Sequence, residues 1–181
     1  MTKKDSIIQA ALKLLTSNGI HATPMSAIAK EAGTGMGTIY NYFPNKEILI
    51  NHIYQFIKLQ EQEIFEPFQP DKEIKTQFFN YYSLAVNFFI ENIQFFQFME
   101  QLQASPIITE ESRKLGEKAT VEVLNLVKTG KEKNVIKPIE TQELLQFIGG
   151  SLLSTIRWNT QNTSKTYISN QIKLVWDAIK V

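Results

Sequence analysis

The chain has 181 residues, 43% hydrophobic and 20% charged, and no cysteine, which excludes a disordered chain, disulfides and thiolate metal sites. Net charge is +1, yet residues 1–46 hold five lysines against two carboxylates, net +3, while the remainder holds 14 basic against 16 acidic groups, net −2. A modestly basic head on a slightly acidic body suits a nucleic-acid module joined to a module of another kind.

Hydrophobic periodicity predicts helices nearly throughout and no strand. A first helix spans about Lys4 to Ser17, with Ile7, Ala11, Leu14 and Leu15 on one face and Gly19 as its stop. Thr23 can cap a second helix beginning at Pro24, where no amide partner is needed. Ile28 and Ala32 give that helix an inward face, Ala29 is small enough for a close crossing, and Gly33 stands at a sharp turn. Ile39, six residues past the glycine, returns an apolar side chain to the same core. Together these residues have the spacing of a helix-turn-helix, whose second helix, here about Met36 to Tyr42, enters a DNA major groove.

Asn45 caps a fourth helix reaching about Phe65, where Pro67 and Pro70 punctuate the chain. A helix from near Asp71 and another ending before Ser105 carry nine aromatic residues between Phe78 and Phe98. Thr109 to about Lys128 reads as one further helix, closed by Gly130. Thr141 caps the next, which runs towards Trp158, and a polar break over 159–164 precedes the last. The expectation is an all-α protein of about nine helices.

The stretch Gly33 to Lys46, with Gly37-Thr38-Ile39-Tyr40 and Tyr42-Phe43 followed by Asn45-Lys46-Glu47, resembles the signature of the tetracycline-repressor (TetR/AcrR) family over about residues 5–55. The chain departs from that pattern at Thr34, where the family is usually aliphatic, and at Gly35-Met36, where a Ser-Lys pair is frequent. The resemblance implies backbone contacts from Thr23, Tyr40, Tyr42 and Lys46, and approach to bases by Met36, Gly37, Thr38 and Asn41. Thr34 and Gly35, at the entry to the recognition helix, complete the DNA-binding set. Chemically, Thr38 offers a hydroxyl and a methyl, Asn41 can pair with adenine, and Met36 can pack on thymine. With no arginine in the helix, specificity should lean on A·T contacts and DNA shape.

The same resemblance implies a division into a helix-turn-helix DNA-binding domain over 1–47 and a helical effector-binding and dimerisation domain over 48–181. Large aromatic side chains tile a core imperfectly, so the aromatic helices can enclose a ligand cavity. Phe78, Tyr82, Phe89, Phe98, Glu100, Arg157 and Trp158 are the ligand-binding candidates. An aromatic box near a carboxylate would suit an organic cation. Two apolar stripes, Leu145, Ile148, Leu152 and Ile156, then Ile168, Ile172, Val175 and Trp176, are the candidate dimer interface, a four-helix bundle across a two-fold axis. Gly149-Gly150 inside the first stripe mark a close helix approach or a kink over a cavity.

The function expected is a ligand-responsive transcriptional repressor that binds a palindromic double-stranded DNA operator as a homodimer and is released by a small apolar or aromatic effector. The alternative is a helical protein-interaction module with a decayed DNA reader. His21 and His52 are the only histidines, and no HExxH, GxSxG or phosphate-cradling loop occurs, so neither an enzyme nor a metal or cofactor is expected. No apolar run approaches the roughly 20 residues of a membrane span and the N-terminus lacks an apolar signal core, so a cytoplasmic location is expected.

Overall fold

The computed structural model describes residues 2–102, 105–159 and 165–181. Among these residues there are ten α-helices and no strand; the sole bridge between extended residues pairs Ile136 with Lys180. The helices are α1 (Lys3–Asn18), α2 (Met25–Glu31), α3 (Met36–Tyr42), α4 (Lys46–Glu63), α5 (Ile74–Glu91), α6 (Ile93–Leu102), α7 (Glu110–Lys118), α8 (Val121–Glu132), α9 (Thr141–Asn159) and α10 (Lys165–Ile179). The chain divides into two compact units, Met1–Gln60 with Asn92–Gly116, and Glu61–Glu91 with Glu117–Val181.

The first unit begins with a cap that sequence reading did not find. Thr2 Oγ1 accepts the Asp5 amide at 3.1 Å, and the Asp5 carboxylate accepts the Thr2 amide at 2.8 Å. This reciprocal pair satisfies two otherwise orphaned amides of α1. The hydrogen bond from the Thr2 amide, and after it one from the Thr2 side chain, hold the Asp5 carboxyl below its ordinary range. Ile7, Ala11 and Leu15 of α1 meet Ile28 of α2, Ile39 of α3, and Leu49 and Ile53 of α4 in a fully buried core. The turn between α2 and α3 is set by Gly33 at φ 63. Its amide reaches the Lys30 carbonyl at 3.1 Å while the Thr34 amide reaches back to Ala29 at 2.9 Å, the paired closure that a left-handed residue permits at a helix end. α4 opens on Asn45, whose Oδ1 accepts the Ile48 amide at 2.8 Å, as the cap read from sequence requires.

In the second unit α5 packs against α8, α9 and α10. Trp176 of α10 lies 5.4 Å, centroid to centroid, from Phe78 of α5, so the aromatic run is a core element rather than a surface feature. Two boundaries differ from the sequence expectation. The helix expected over 109–128 is two helices, because Thr120 turns its hydroxyl onto the Glu117 carbonyl and competes with the helical ladder. Gly130 does not close the next helix; it lies inside α8, where a Cβ would stand 2.6 Å from Ile136 Cδ1. Asn134, at φ 56, makes the turn instead. The polar break expected over 159–164 falls on residues outside those described, except for the last residue of α9.

Candidate nucleic-acid interface and apolar cavity

α3 is only seven residues long and is fixed from beneath. Ile39 and Phe43 are buried, which rotates the opposite face outward. On that face Tyr40 is 45% exposed and Tyr42 44%, with Met36, Gly37 and Asn41 exposed and Thr38 and Thr34 half-buried. Gly35 is the N-cap residue and is exposed. Eight of the ten expected DNA-binding residues therefore sit together on or next to α3. Large aromatic rings left in water on a short helix serve no purpose in the core, so they are available to a ligand.

Thr23 and Lys46 do something different. Thr23 is 0% exposed, and its hydroxyl donates to the Gly19 carbonyl at 2.9 Å and the Leu14 carbonyl at 3.2 Å. It does not cap α2 with its side chain; Pro24 occupies the N-cap position and makes no such bond. Lys46 Nζ donates to the carbonyls of Ile20 at 2.7 Å and Thr23 at 3.0 Å. Both side chains are thus spent on the α1–α2 connection, because carbonyls left at the end of α1 need donors. The basic surface loses further charge to the Lys13–Glu31 ion pair at 2.6 Å.

The second unit contains a cavity of about 520 Å³, within the range of small-molecule sites. Aromatic walls come from Phe65, Phe78, Tyr81 and Tyr82, and an aliphatic wall from Leu124, Leu126, Leu145, Ile148 and Leu152. Glu61, Glu117, Gln142 and Gln146 supply polar groups. The Tyr82 hydroxyl lies 3.2 Å from Ser151 Oγ and 3.1 Å from Thr155 Oγ1, tying α5 to α9. Burial pushes the Tyr82 phenol above its ordinary range, and it also raises Tyr81, to which the carboxylates of Glu122 and Glu66 add.

Of the expected ligand residues, Phe78 and Tyr82 line this cavity and the other five do not. Phe89 is buried with its ring 5.0 Å from Phe88. Phe98 and Glu100 belong to α6 in the first unit, because the chain re-enters that unit at Asn92. Arg157 and Trp158 are exposed near the end of α9. Sequence reading missed Glu61, Tyr81, Glu117 and the two glutamines. The signal available was the i, i+3, i+4, i+7 set Leu145, Ile148, Gly149 and Leu152, whose glycine leaves volume rather than filling it.

The expected dimer stripes are corrected in the same way. Ile148, Ile156, Ile172, Val175 and Trp176 are buried within the second unit itself, Leu145 and Leu152 line the cavity, and Ile168 is half-buried. A stripe already covered by its own unit offers little to a partner. The apolar side chains that α9 and α10 leave in water are Phe147 (48% exposed), Trp158 and Leu174 (61% exposed), with Gly150 on the same outward side of α9 as Phe147. No helix among the described residues is long and apolar enough to cross a membrane. No group of three or more His, Cys, Asp or Glu among them could hold a metal ion.

The family profile described as bacterial regulatory proteins, tetR family, matches residues 7–53, and the one described as tetracyclin repressor-like, C-terminal domain, matches residues 44–181. The fatty acid metabolism regulator protein of Bacillus subtilis is 36% identical over 83 residues, 43% of either chain. The uncharacterised helix-turn-helix transcriptional regulator YhgD of the same species is 28% identical over 157 residues, 81% of this chain and 78% of that one. A TetR-family transcription regulator from Shewanella sp. PV-4 superposes with a TM-score of 0.89 at 22% identity, covering all of both chains. The fatty acid degradation regulator FadR from Bacillus halodurans superposes at 0.72 with 23% identity over 98% of this chain and 94% of that one. At such identities the two superpositions speak to fold alone.

Proposed function

Because this chain belongs to the TetR family of bacterial regulatory proteins and is a DNA-binding transcription regulator, we propose that it is a repressor which binds a palindromic operator as a homodimer and leaves it when a small molecule fills the cavity of the second unit. The observation that carries this reading is the outward face of α3, where Met36, Tyr40, Asn41 and Tyr42 stand exposed above a buried Ile39. Tyr40 and Tyr42 reach phosphates, and Thr38 and Asn41 meet base edges. Thr34, Gly35 and Gly37 let backbone approach the duplex closely. Such a protein works where the chromosome is, in the cytoplasm, and catalyses nothing.

Two copies present two α3 helices, which must lie roughly 34 Å apart to enter successive major grooves. The exposed Phe147, Trp158 and Leu174 form the surface on which the copies meet, with Gly150 allowing close helix approach. α4 starts in the first unit at Lys46, and its last turn, with Glu61, belongs to the second. An effector in contact with Glu61 therefore touches the helix whose start is bonded to the α1–α2 connection, and a tilt of α4 alters the spacing of the readers. We take 1–47 as the reader and 48–181 as the sensing and pairing part.

The test is an electrophoretic shift with DNA from upstream of the protein's own gene. Specific retardation that Tyr40→Ala weakens at least roughly tenfold, and that Asn41→Ala relaxes at one base position, supports the reading. Binding of no promoter fragment at low salt would leave a helical interaction module with a decayed reader. The likeness to a Bacillus subtilis regulator named for fatty acid metabolism suggests an acyl effector as a second reading.

A further inference from the structure

The recognition helix α3 carries no charged side chain from Met36 to Tyr42. A reader that pairs no phosphate with a cation releases no counterions and gains little from the polyanion it approaches. The five lysines of residues 1–46 are the source of such a cation, and two of them are already engaged. Lys46 Nζ is held by the Ile20 and Thr23 carbonyls, and Lys13 Nζ by the Glu31 carboxylate. Of the other three, Lys3 and Lys30 are exposed, at the start of α1 and in the last turn of α2. Lys4 is placed differently. Its side chain is half-buried, and its Nζ stands 6.0 Å from the centroid of the Phe43 ring, which directly follows α3.

An aromatic face attracts an ammonium without neutralising it, so Phe43 sets where Lys4 points and leaves its charge unspent. Among the described residues Lys4 makes no ion pair and no side-chain hydrogen bond. The neighbouring Asp5 carboxylate accepts the Thr2 amide at 2.8 Å, within the cap that fixes the first turn of α1. The unspent charge reaches His52, whose ring lies 5.4 Å from Phe43 and whose pKa is lowered by burial first and by Lys4 second. The exposed Tyr42 ring lies 6.5 Å from Phe43, so a phenol and an ammonium stand together at one end of α3. We propose that Lys4 is the cationic phosphate contact of the DNA reader, set by the Phe43 ring beside Tyr42, in the role that Lys46 leaves unfilled. This rests on α3 as the reader and names the charge that anchors it. A phosphate held by Lys4 and the Tyr42 hydroxyl fixes the register in which Thr38 and Asn41 meet base edges, with no sequence preference of its own.

The experiment measures retardation of duplex DNA from upstream of the protein's own gene by the full chain, over a series of salt concentrations. Lys4→Met keeps an apolar stem over Phe43 and removes the charge. It should weaken binding at least about fivefold near physiological salt and flatten the slope of log affinity against log salt by about one for each half-site read. Lys4→Arg should restore both. Lys3→Met and Lys30→Met, at exposed positions, should flatten the slope less than Lys4→Met does. A slope that Lys4→Met leaves unchanged overturns the proposal, and a fall in affinity without it means that Lys4 only covers Phe43. An equal or larger flattening from Lys3→Met or Lys30→Met overturns it as well, by moving the contact to that lysine. No retardation by the unaltered chain even at low salt removes the reader itself, and the contact with it.

Discussion

Gln101 of α6 and Lys46 of α4 grip opposite polar groups of one residue, Ile20. The Ile20 amide donates to Gln101 Oε1 at 3.1 Å, and Lys46 Nζ donates to the Ile20 carbonyl at 2.7 Å. Gln101 Nε2 also donates to the Leu15 carbonyl at 3.1 Å, so the exit of α1 is held from two helices distant in sequence.

Replacing Gln101 with Ala removes the acceptor of the Ile20 amide and one of two donors to the Leu15 carbonyl, which also accepts the Gly19 amide at 3.1 Å. A loss of about 1–3 kcal/mol of stability is expected, measured by urea unfolding. Gln101→Glu keeps the acceptor for Ile20 and loses only the donor to Leu15, so its loss should be smaller than that of Ala.

Lys46→Ala should cost about 1–3 kcal/mol through the two carbonyls it leaves without a donor. Operator affinity should fall as α2 and α3 shift, while the slope of log affinity against log salt stays nearly constant. A slope reduced by about one would instead mean that Lys46 leaves its carbonyls for a phosphate in the complex.

His52 packs its ring 5.4 Å from Phe43, the residue that closes α3. Burial, then the Lys4 charge, lowers its pKa from the ordinary 6.5. The unfolded chain therefore takes up the proton first as pH falls through 6.5, and stability declines until the folded imidazole is protonated too. His52→Gln should remove this share of the acid loss, seen as a smaller drop in melting temperature between neutral and mildly acid buffer.

Two glycines should respond with opposite sign. At Gly130 the helix-propensity gain of Gly→Ala, about 1 kcal/mol, is outweighed by the clash with buried Ile136, for a net loss of roughly 1–2 kcal/mol. At Gly149 nothing lies within 4 Å of an added Cβ, so Ala should stabilise by about 0.5–1 kcal/mol. Thermal unfolding of the two variants decides it.

Phe147→Glu and Leu174→Glu place charge where the chain alone has no need of apolar surface. Sedimentation equilibrium should show monomers with unchanged helix content, and operator affinity should drop steeply because each half-site is then read alone. Dimers that persist at micromolar concentration would move the pairing surface elsewhere.

The helix-turn-helix was legible because its signals are local. Ile28, Ala29, Gly33 and Ile39 fall within 12 positions, and their roles depend on spacing along one chain. Asn45 was legible as a cap for the same reason. Thr23 misled because a threonine before a helix can cap forward or bond backward, and only the proximity of the Gly19 and Leu14 carbonyls decides which. The stripe on α9 misled because periodicity reports that a face is buried, not what buries it.

By itself the sequence determined the all-α class, the reader near the N-terminus and its exposed face, since i to i+4 geometry follows from the order of residues. Tertiary structure alone decided which helices wall the cavity, which carboxylates enter it, and that α6 returns to clasp the end of α1. Those outcomes join residues some 50 to 80 positions apart, and the free energy of such contacts depends on packing that no local pattern encodes.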